Sequence, residues 1–351
     1  MRKLIKVLVV DDSALIRTML TKLLDSHEAI EVCGTASDPY DAREKIKSLN
    51  PDVLTLDIEM PRMNGISFLK NLMRLRPMPV VMISTLTQAG APSTLEALEL
   101  GAVDFVPKPK NEATGGLADY AEDICDKVIA ASKANLAAFN LNGGDSKLKA
   151  KKVSPHGGVG RSGFVCAIGA STGGTEAIKA VMLGMPEDCP PIMITQHIPA
   201  SFSESFARRV DAASAPKVHQ AEHGQPVEAG NAYIAPGHSH LRLKVSSGKL
   251  ICALDDNGPI NRHMPAVEPL FDSVIKGVGD NCLGILLTGM GVDGAKALLR
   301  MRQAGAATVA QDEKTSVVWG MPGAAVELEA AQKVLSLDKV PREIVKAYFR
   351  V

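Results

Sequence analysis

The chain has 351 residues, room for about two domains at ~150 residues each. Its composition, 46% hydrophobic and 22% charged, is that of a globular protein with a core in each half. Its 39 basic and 39 acidic residues cancel, which weighs against a dedicated nucleic-acid binder, and no apolar run approaches the ~20 residues that cross a bilayer, so no membrane insertion is expected.

Arg2, Lys3 and Lys6 precede an apolar stretch, but Asp11 and Asp12 end it, too early for the core of a signal peptide. Val7 to Val10 reads instead as a parallel strand buried on both faces. Leu15, Ile16, Met19, Leu20, Leu23 and Leu24 then recur at helical spacing. Val53 to Leu56 and Val80 to Ile83 read as further strands, and Phe105-Val106 as a short one. Strand-helix alternation over residues 1–135 predicts an α/β domain with a parallel sheet. Residues 136–163 carry Gly143-Gly144, Gly157-Gly158 and Gly160 among Ser, Lys and Asn, the composition of a flexible linker. Lys147, Lys149, Lys151 and Lys152 are expected to keep that stretch solvated, with an interaction patch as the alternative.

A second α/β pattern fills residues 164–351, with strands at Val165 to Ile168, Ile192 to Thr195 and Leu283 to Leu287. Helical spacing follows at Ala177 to Leu183 and Ala295 to Met301. Residues 216–255 alternate in short β-like stretches with turns such as Glu228-Ala-Gly-Asn231, which predicts a β-hairpin insertion in a mostly parallel sheet. The six cysteines are scattered with no C-x-x-C pair, the usage of reduced core residues and of a cytoplasmic protein.

Asp11 and Asp12 follow the Val7 to Val10 strand, Asp57 ends the Val53 to Leu56 strand, and Lys108 follows Phe105-Val106. The carboxyl ends of parallel strands gather at one sheet edge, so these charges converge. Clustered carboxylates call for a hard cation, and Mg²⁺ prefers oxygen ligands. A carboxylate beside the metal can attack a phosphoryl group, and Lys108 can neutralise the phosphoryl oxygens.

Gly169-Ala-Ser171-Thr-Gly173-Gly174 follows an apolar strand and precedes a helix, matching G-x-S-x-G, the nucleophile elbow. The same glycine-rich turn suits phosphate binding, which leaves open a nucleotide- or phosphate-binding output module. A serine nucleophile needs a base. His197 ends the next strand on the same edge, while His219, His223, His238, His240 and His263 are rivals. His238 and His240 lie two apart, the spacing of two metal ligands on one strand face. An orienting acid is available at Asp293, after the third strand. Ser171, His197 and Asp293 come in a chain order that differs from that of the α/β-hydrolases.

Val9-Val10-Asp11-Asp12-Ser13, Asp57-Ile-Glu-Met-Pro61-Arg-Met-Asn-Gly65, Ser84-Thr85 and Lys108-Pro109 resemble the response-regulator receiver family over residues 5–130. The resemblance implies a flavodoxin-like doubly wound sheet, Asp57 as phosphoacceptor, and Asp11, Asp12 and Asp57 at a Mg²⁺ site. It also places Ser84 and Phe105 at the switch positions, with Phe105 lacking the hydroxyl of a frequent Tyr.

Ile168-Gly-Ala-Ser-Thr-Gly-Gly174, Gln196-His-Ile-Pro199, Ser205-Phe-Ala-Arg208, Ala235-Pro-Gly-His-Ser-His-Leu241, Leu287-Thr-Gly-Met-Gly-Val-Asp-Gly294, Ala310-Gln-Asp-Glu313 and Gly320-Met-Pro322 resemble the catalytic domain of the CheB chemotaxis methylesterase family. The resemblance implies a Ser171–His197–Asp293 triad with Thr172 and Met290 beside it, and no cofactor for hydrolysis. It further implies glutamyl methyl esters of chemoreceptors as substrate, glutamine deamidation, and a chemotaxis histidine kinase as phosphodonor. Met264-Pro-Ala266-Val-Glu268 departs from the family pattern, in which Ser and Asp are expected at the last two polar positions.

Overall fold

Strands β1 (Ile5–Val10), β2 (Ile30–Ala36), β3 (Val53–Asp57), β4 (Val80–Ser84) and β5 (Asp104–Pro107) form one sheet. The computed structural model describes residues 3–61, 63–84, 90–108, 117–142, 153–154 and 156–350. The order is β2-β1-β3-β4-β5 and every neighbouring pair is parallel, the doubly wound arrangement of flavodoxin-like folds. Every residue of β3 and β4 is buried, which is why these strands read as mostly apolar runs without alternation. Strand β2, which the apolar pattern did not mark, lies at the sheet edge, where Glu31 is exposed and Val32 to Thr35 are half-buried. Ser13 caps the helix Ala14–Asp25 and Asn64 caps Gly65–Leu75. A Cβ at Gly65 would collide with the Asp57 carbonyl, so that helix packs directly against the end of β3.

The chain divides into two units, Met1–Leu136 and Ala137–Val351. In the second, β6 (Val165–Ala170), β7 (Ile192–Gln196), β8 (Lys217–Gln220) and β9 (Asn231–Ile234) precede a hairpin of β10 (His240–Ser246) and β11 (Lys249–Asp255). Strands β12 (Cys282–Leu286), β13 (Ala307–Gln311) and β14 (Lys333–Leu335) follow. Seven of these form one sheet, β14-β13-β12-β6-β7-β9-β8, with all neighbours parallel. The chain runs from β6 outward to β7 and the β9-β8 edge, then returns to place β12 on the other side of β6. That reversal makes the carboxyl ends of β6 and β12 a topological switch point, where α/β sheets bind ligands.

Two expectations change. Only β10 and β11 form the antiparallel hairpin, whereas β8 and β9 extend the main sheet in parallel. Glu228 to Asn231 feeds β9 into a register with β7, Ile192 opposite Ala232, rather than turning it back on β8. Part of the predicted linker is ordered on the second unit. Residues Ala137–Asn142 are helical, and the His156 and Gly157 N–H groups donate to Asp188 Oδ2 at 2.8 and 3.1 Å. The His156 ring stacks on Phe349 at 4.3 Å. These partners satisfy backbone that a glycine-rich composition leaves free to choose. Residues 143–152 and 155, with the four linker lysines, lie outside the described residues, as do Arg62, Thr85 and Pro109.

All six cysteines are free thiols, five of them buried. Burial pushes Cys189, Cys252 and Cys282 up to about 12, so they are inert core residues. Among the described residues no helix is long and apolar enough to cross a membrane.

Candidate phosphorylation site and candidate active site

At the carboxyl edge of the first sheet, Asp11 follows β1, Asp57 ends β3, Ser84 ends β4 and Lys108 follows β5. Asp11 and Asp57 are buried, and ligand atoms of Asp11, Asp12 and Asp57 all lie within 4.8 Å of one another. It is the one group of its kind among the described residues. Lys108 Nζ donates to Asp57 Oδ2 at 2.7 Å and lies 3.4 Å from Asp11 Oδ2. Ser13 N–H donates to Asp11 Oδ1 at 2.9 Å, while the buried Asp11 Oδ2 has no hydrogen-bond partner. Three converging carboxylates, one of them with an oxygen held only by the Lys108 ion pair, suit a hard divalent cation. Ser84 is buried, its hydroxyl 2.8 Å from that of Thr94. Phe105 is buried too, with Lys127 Nζ 5.5 Å from its ring centre.

Burial drives the Asp57 carboxyl up to about 6 from an ordinary 3.8, with the Asp11 charge adding to it and Lys108 opposing it. A folded-state value above the unfolded one means that the folded chain holds the extra proton between the two. Chelated protein is therefore expected to lose stability as pH rises from about 4 to about 6, by roughly 2–3 kcal/mol. Thermal unfolding in a chelator checks this: Asp57→Asn flattens the slope, and a divalent cation recovers stability above about pH 6 in the wild type alone.

In the second sheet, Ser171 follows β6, His197 follows β7, and Asp293 lies in the segment after β12. The three turns are stitched together. Ser171 N–H donates to Thr288 O at 3.0 Å, Thr288 Oγ1 to Thr172 O at 3.0 Å, and Gln196 Nε2 to Ser171 O at 2.9 Å. His197 Nδ1 is 3.2 Å from Ser171 Oγ, and its Nε2 is 2.9 Å from Asp293 Oδ2. With the proton on Nε2, the ring donates to Asp293 and accepts from the Ser171 hydroxyl. This is the geometry that a nucleophile–base–orienter line requires.

Asp293 is buried. Burial by itself would raise its carboxyl, but the His197 hydrogen bond and charge, with the Val267 N–H and Asn261, outweigh that and hold it down at about 2. Val267 N–H donates to Asp293 Oδ2 at 2.7 Å. The helix Val267–Val278 opens at Ala266, which has no side-chain oxygen to cap it. Asp293 takes over that duty, and the positive end of the helix favours its charge. The alanine at 266, where the resemblance led to the expectation of a hydroxyl, thus does not leave the helix end unserved. Glu268 keeps the expected charge and pairs with Arg300 at 2.6 Å.

Thr172 is buried beside the serine. Met290 follows Gly289, where a Cβ would come within 2.8 Å of Ser171 Cβ and 3.0 Å of Ser171 N. Gly289→Ala is therefore expected to shift Ser171 and to lower kcat by about 10²-fold, the penalty of misplacement near 1 Å. Steady-state kinetics with a circular dichroism control checks this.

Of the rival histidines, His219 Nε2 lies 3.0 Å from Asn231 Oδ1 and His223 Nδ1 accepts the Leu254 N–H at 3.2 Å. His240 is buried, its Nε2 donating to Gly258 O at 2.8 Å and its Nδ1 accepting the Ala266 N–H at 3.0 Å, while His238 is exposed. His263 stacks on His197 with ring centres 3.8 Å apart. Asn261, which no motif marked, donates to Asp293 Oδ1 at 2.9 Å. Its one sequence signal is an Asn in a short polar turn. A phosphate cradle at Gly169 to Gly174 is not favoured, because Ser171 N–H and Gly174 N–H are engaged by Thr288 O and Ser171 O.

The fold and the two candidate sites define a receiver-type unit followed by an α/β unit that brings Ser171, His197 and Asp293 into one line. Residues 7–115 match the response regulator receiver domain and residues 166–344 match the CheB methylesterase family. A protein-glutamate methylesterase/protein-glutamine glutaminase of Saccharophagus degradans is 59% identical over 98% of this chain and 99% of its own length. One of the same name in Hydrogenovibrio crunogenus is 51% identical over 97% and 98%. The crystal structure of the Thermotoga maritima CheB methylesterase catalytic domain covers 53% of this chain and 99% of that one, with a TM-score of 0.52 and 37% identity. The chain belongs to the CheB methylesterase family, with a response-regulator receiver domain at its N-terminal side.

Proposed function

We propose that this chain is a phosphorylation-activated protein-glutamate methylesterase that also deamidates protein glutamines, acting in the cytoplasm on methyl-accepting chemoreceptors. The observation that carries the reading is the line from Ser171 Oγ through His197 to Asp293. Ser171 attacks the γ-carbonyl of a methylated glutamate while His197 Nδ1 takes its proton. Asp293 fixes the tautomer and stabilises the imidazolium. Backbone N–H groups beside Ser171 and Met290 receive the oxyanion. The imidazolium returns the proton to the departing methoxide, which leaves as methanol. Water, activated by the same nitrogen, then releases glutamate from the serine. With a glutamine the leaving group is ammonia and the acyl-serine is identical.

Asp57 is the phosphoacceptor, and a chemotaxis histidine kinase is the donor. Asp11, Asp12 and Asp57 would hold Mg²⁺, which would supply charge neutralisation for phosphoryl transfer. Lys108 meets the phosphoryl oxygens, and Ser84 and Phe105 carry the switch. Phosphorylation of Asp57 raises the hydrolase activity, a local charge change with a remote readout.

Methanol release from methylated receptor membranes tests this. A small-molecule phosphodonor with Mg²⁺ is expected to stimulate the wild type and to leave Asp57→Asn at its basal rate. Equal stimulation of both would remove Asp57 from the control of the enzyme, and absence of methanol from either would remove the ester.

A further inference from the structure

The segment Ile260 to His263 folds back on itself beside the triad. Ile260 N–H donates to His263 O at 3.0 Å and His263 N–H to Ile260 O at 2.9 Å. Its central residues, Asn261 and Arg262, have φ of +53° and +67°, the two left-handed positions that a type I′ turn requires. Asparagine accepts this conformation, but arginine has no such aptitude. The chain thus holds a turn that glycine would form with less strain, and the turn delivers two side chains to the base. Asn261 Nδ2 donates to Asp293 Oδ1 at 2.9 Å and to Glu268 Oε2 at 2.8 Å. The His263 ring lies over His197, centres 3.8 Å apart and planes 18° from parallel.

Hydrogen bonds to Ser171 and Asp293 fix the His197 ring along the line through its two nitrogens. They leave it free to rock about that line, which swings the Nδ1 lone pair and the Nε2–H bond away from their partners. A flat partner on one face removes that motion, and Asn261 keeps the acceptor carboxylate from turning.

We infer that His263 and Asn261 are positioning residues for His197: His263 sets the plane of the imidazole, and Asn261 sets the carboxylate that the imidazole faces. The inference rests on the triad reading given above. A stacked aromatic pair is worth up to about a factor of ten in rate.

The test is kcat and KM for methanol release from methylated receptor membranes, using full-length protein with phosphodonor. Wild type, His263→Ala, His263→Phe, Asn261→Ala and Ser171→Ala are compared, with thermal unfolding of each. His263→Ala and Asn261→Ala are expected to lose about ten-fold in kcat with KM held within about two-fold. His263→Phe, which restores a flat ring, is expected to recover most of the loss. A wild-type kcat in His263→Ala, or a loss confined to KM that phenylalanine does not recover, overturns the inference. If His263→Ala fails to fold, His263→Phe decides alone: a near-wild-type kcat supports the role, and a ten-fold or greater loss contradicts it. Full activity in Ser171→Ala would instead bring down the triad reading itself.

Discussion

Ser171→Ala is expected to lower ester hydrolysis by on the order of 10⁶-fold, the scale of loss on removing a serine protease's nucleophile. The residue sits where β6 ends, its N–H bonded to Thr288 and its carbonyl to Gln196. Those bonds belong to the backbone, so alanine leaves the turn intact and removes only the attacking oxygen. The expected signature is a collapse of kcat with normal folding and an unchanged receiver. Residual rate above water reflects the oxyanion donors and binding. Methanol release and circular dichroism on the same preparation check both halves of this outcome.

Asp293→Asn is expected to lower kcat by about 10⁴-fold, because an amide facing His197 Nε2 favours the wrong tautomer. Here the substitution also reaches the fold. Asp293 Oδ2 accepts from both His197 and Val267, and Oδ1 from Asn261. Any orientation of an amide turns its NH₂ toward one of these donors. A carboxyl held at about 2 against an ordinary 3.8 contributes stability that is present above the unfolded value and lost as pH falls through the folded one. Its size is roughly 2–3 kcal/mol. Wild type is expected to lose this increment between about pH 4 and pH 2, and Asp293→Asn to lack that slope. Acid titration of thermal stability, beside kcat, separates the structural part of the effect from the catalytic part.

Much of this site was legible because a parallel sheet sends the ends of its strands to one edge. Val7 to Val10 and Val165 to Ile168 are continuous apolar runs and Val53 to Leu56 is broken only by Thr55, so Asp11, Asp57 and Ser171 could be placed at their ends. His197 and Asp293 followed by the same rule. The residues that hold the site were harder to see. Asn261 and Val267 meet Asp293 across separations of 32 and 26 residues, and neither lies in a periodic pattern. Which imidazole nitrogen faces Ser171 depends on ring placement, which no spacing encodes. Strands β8 and β9 misled for a related reason. They are four residues each with glycine turns between, and only pairing with β7 makes them sheet rather than hairpin. The ordered stretch at 156–163 takes its partners from Asp188, Tyr348 and Phe349, far along the chain.

The central claim, that Ser171 carries the acyl group of a receptor glutamate, is tested most directly by trapping that ester. Phosphodonor-activated enzyme is mixed with methylated receptor membranes, quenched in acid within the first turnover, and its peptides are read by mass spectrometry. The account predicts a receptor glutamyl group joined to the peptide containing Ser171, formed with release of one methanol per adduct and absent from Ser171→Ala. Methanol released at the wild-type rate by Ser171→Ala, with no adduct on either protein, would contradict it.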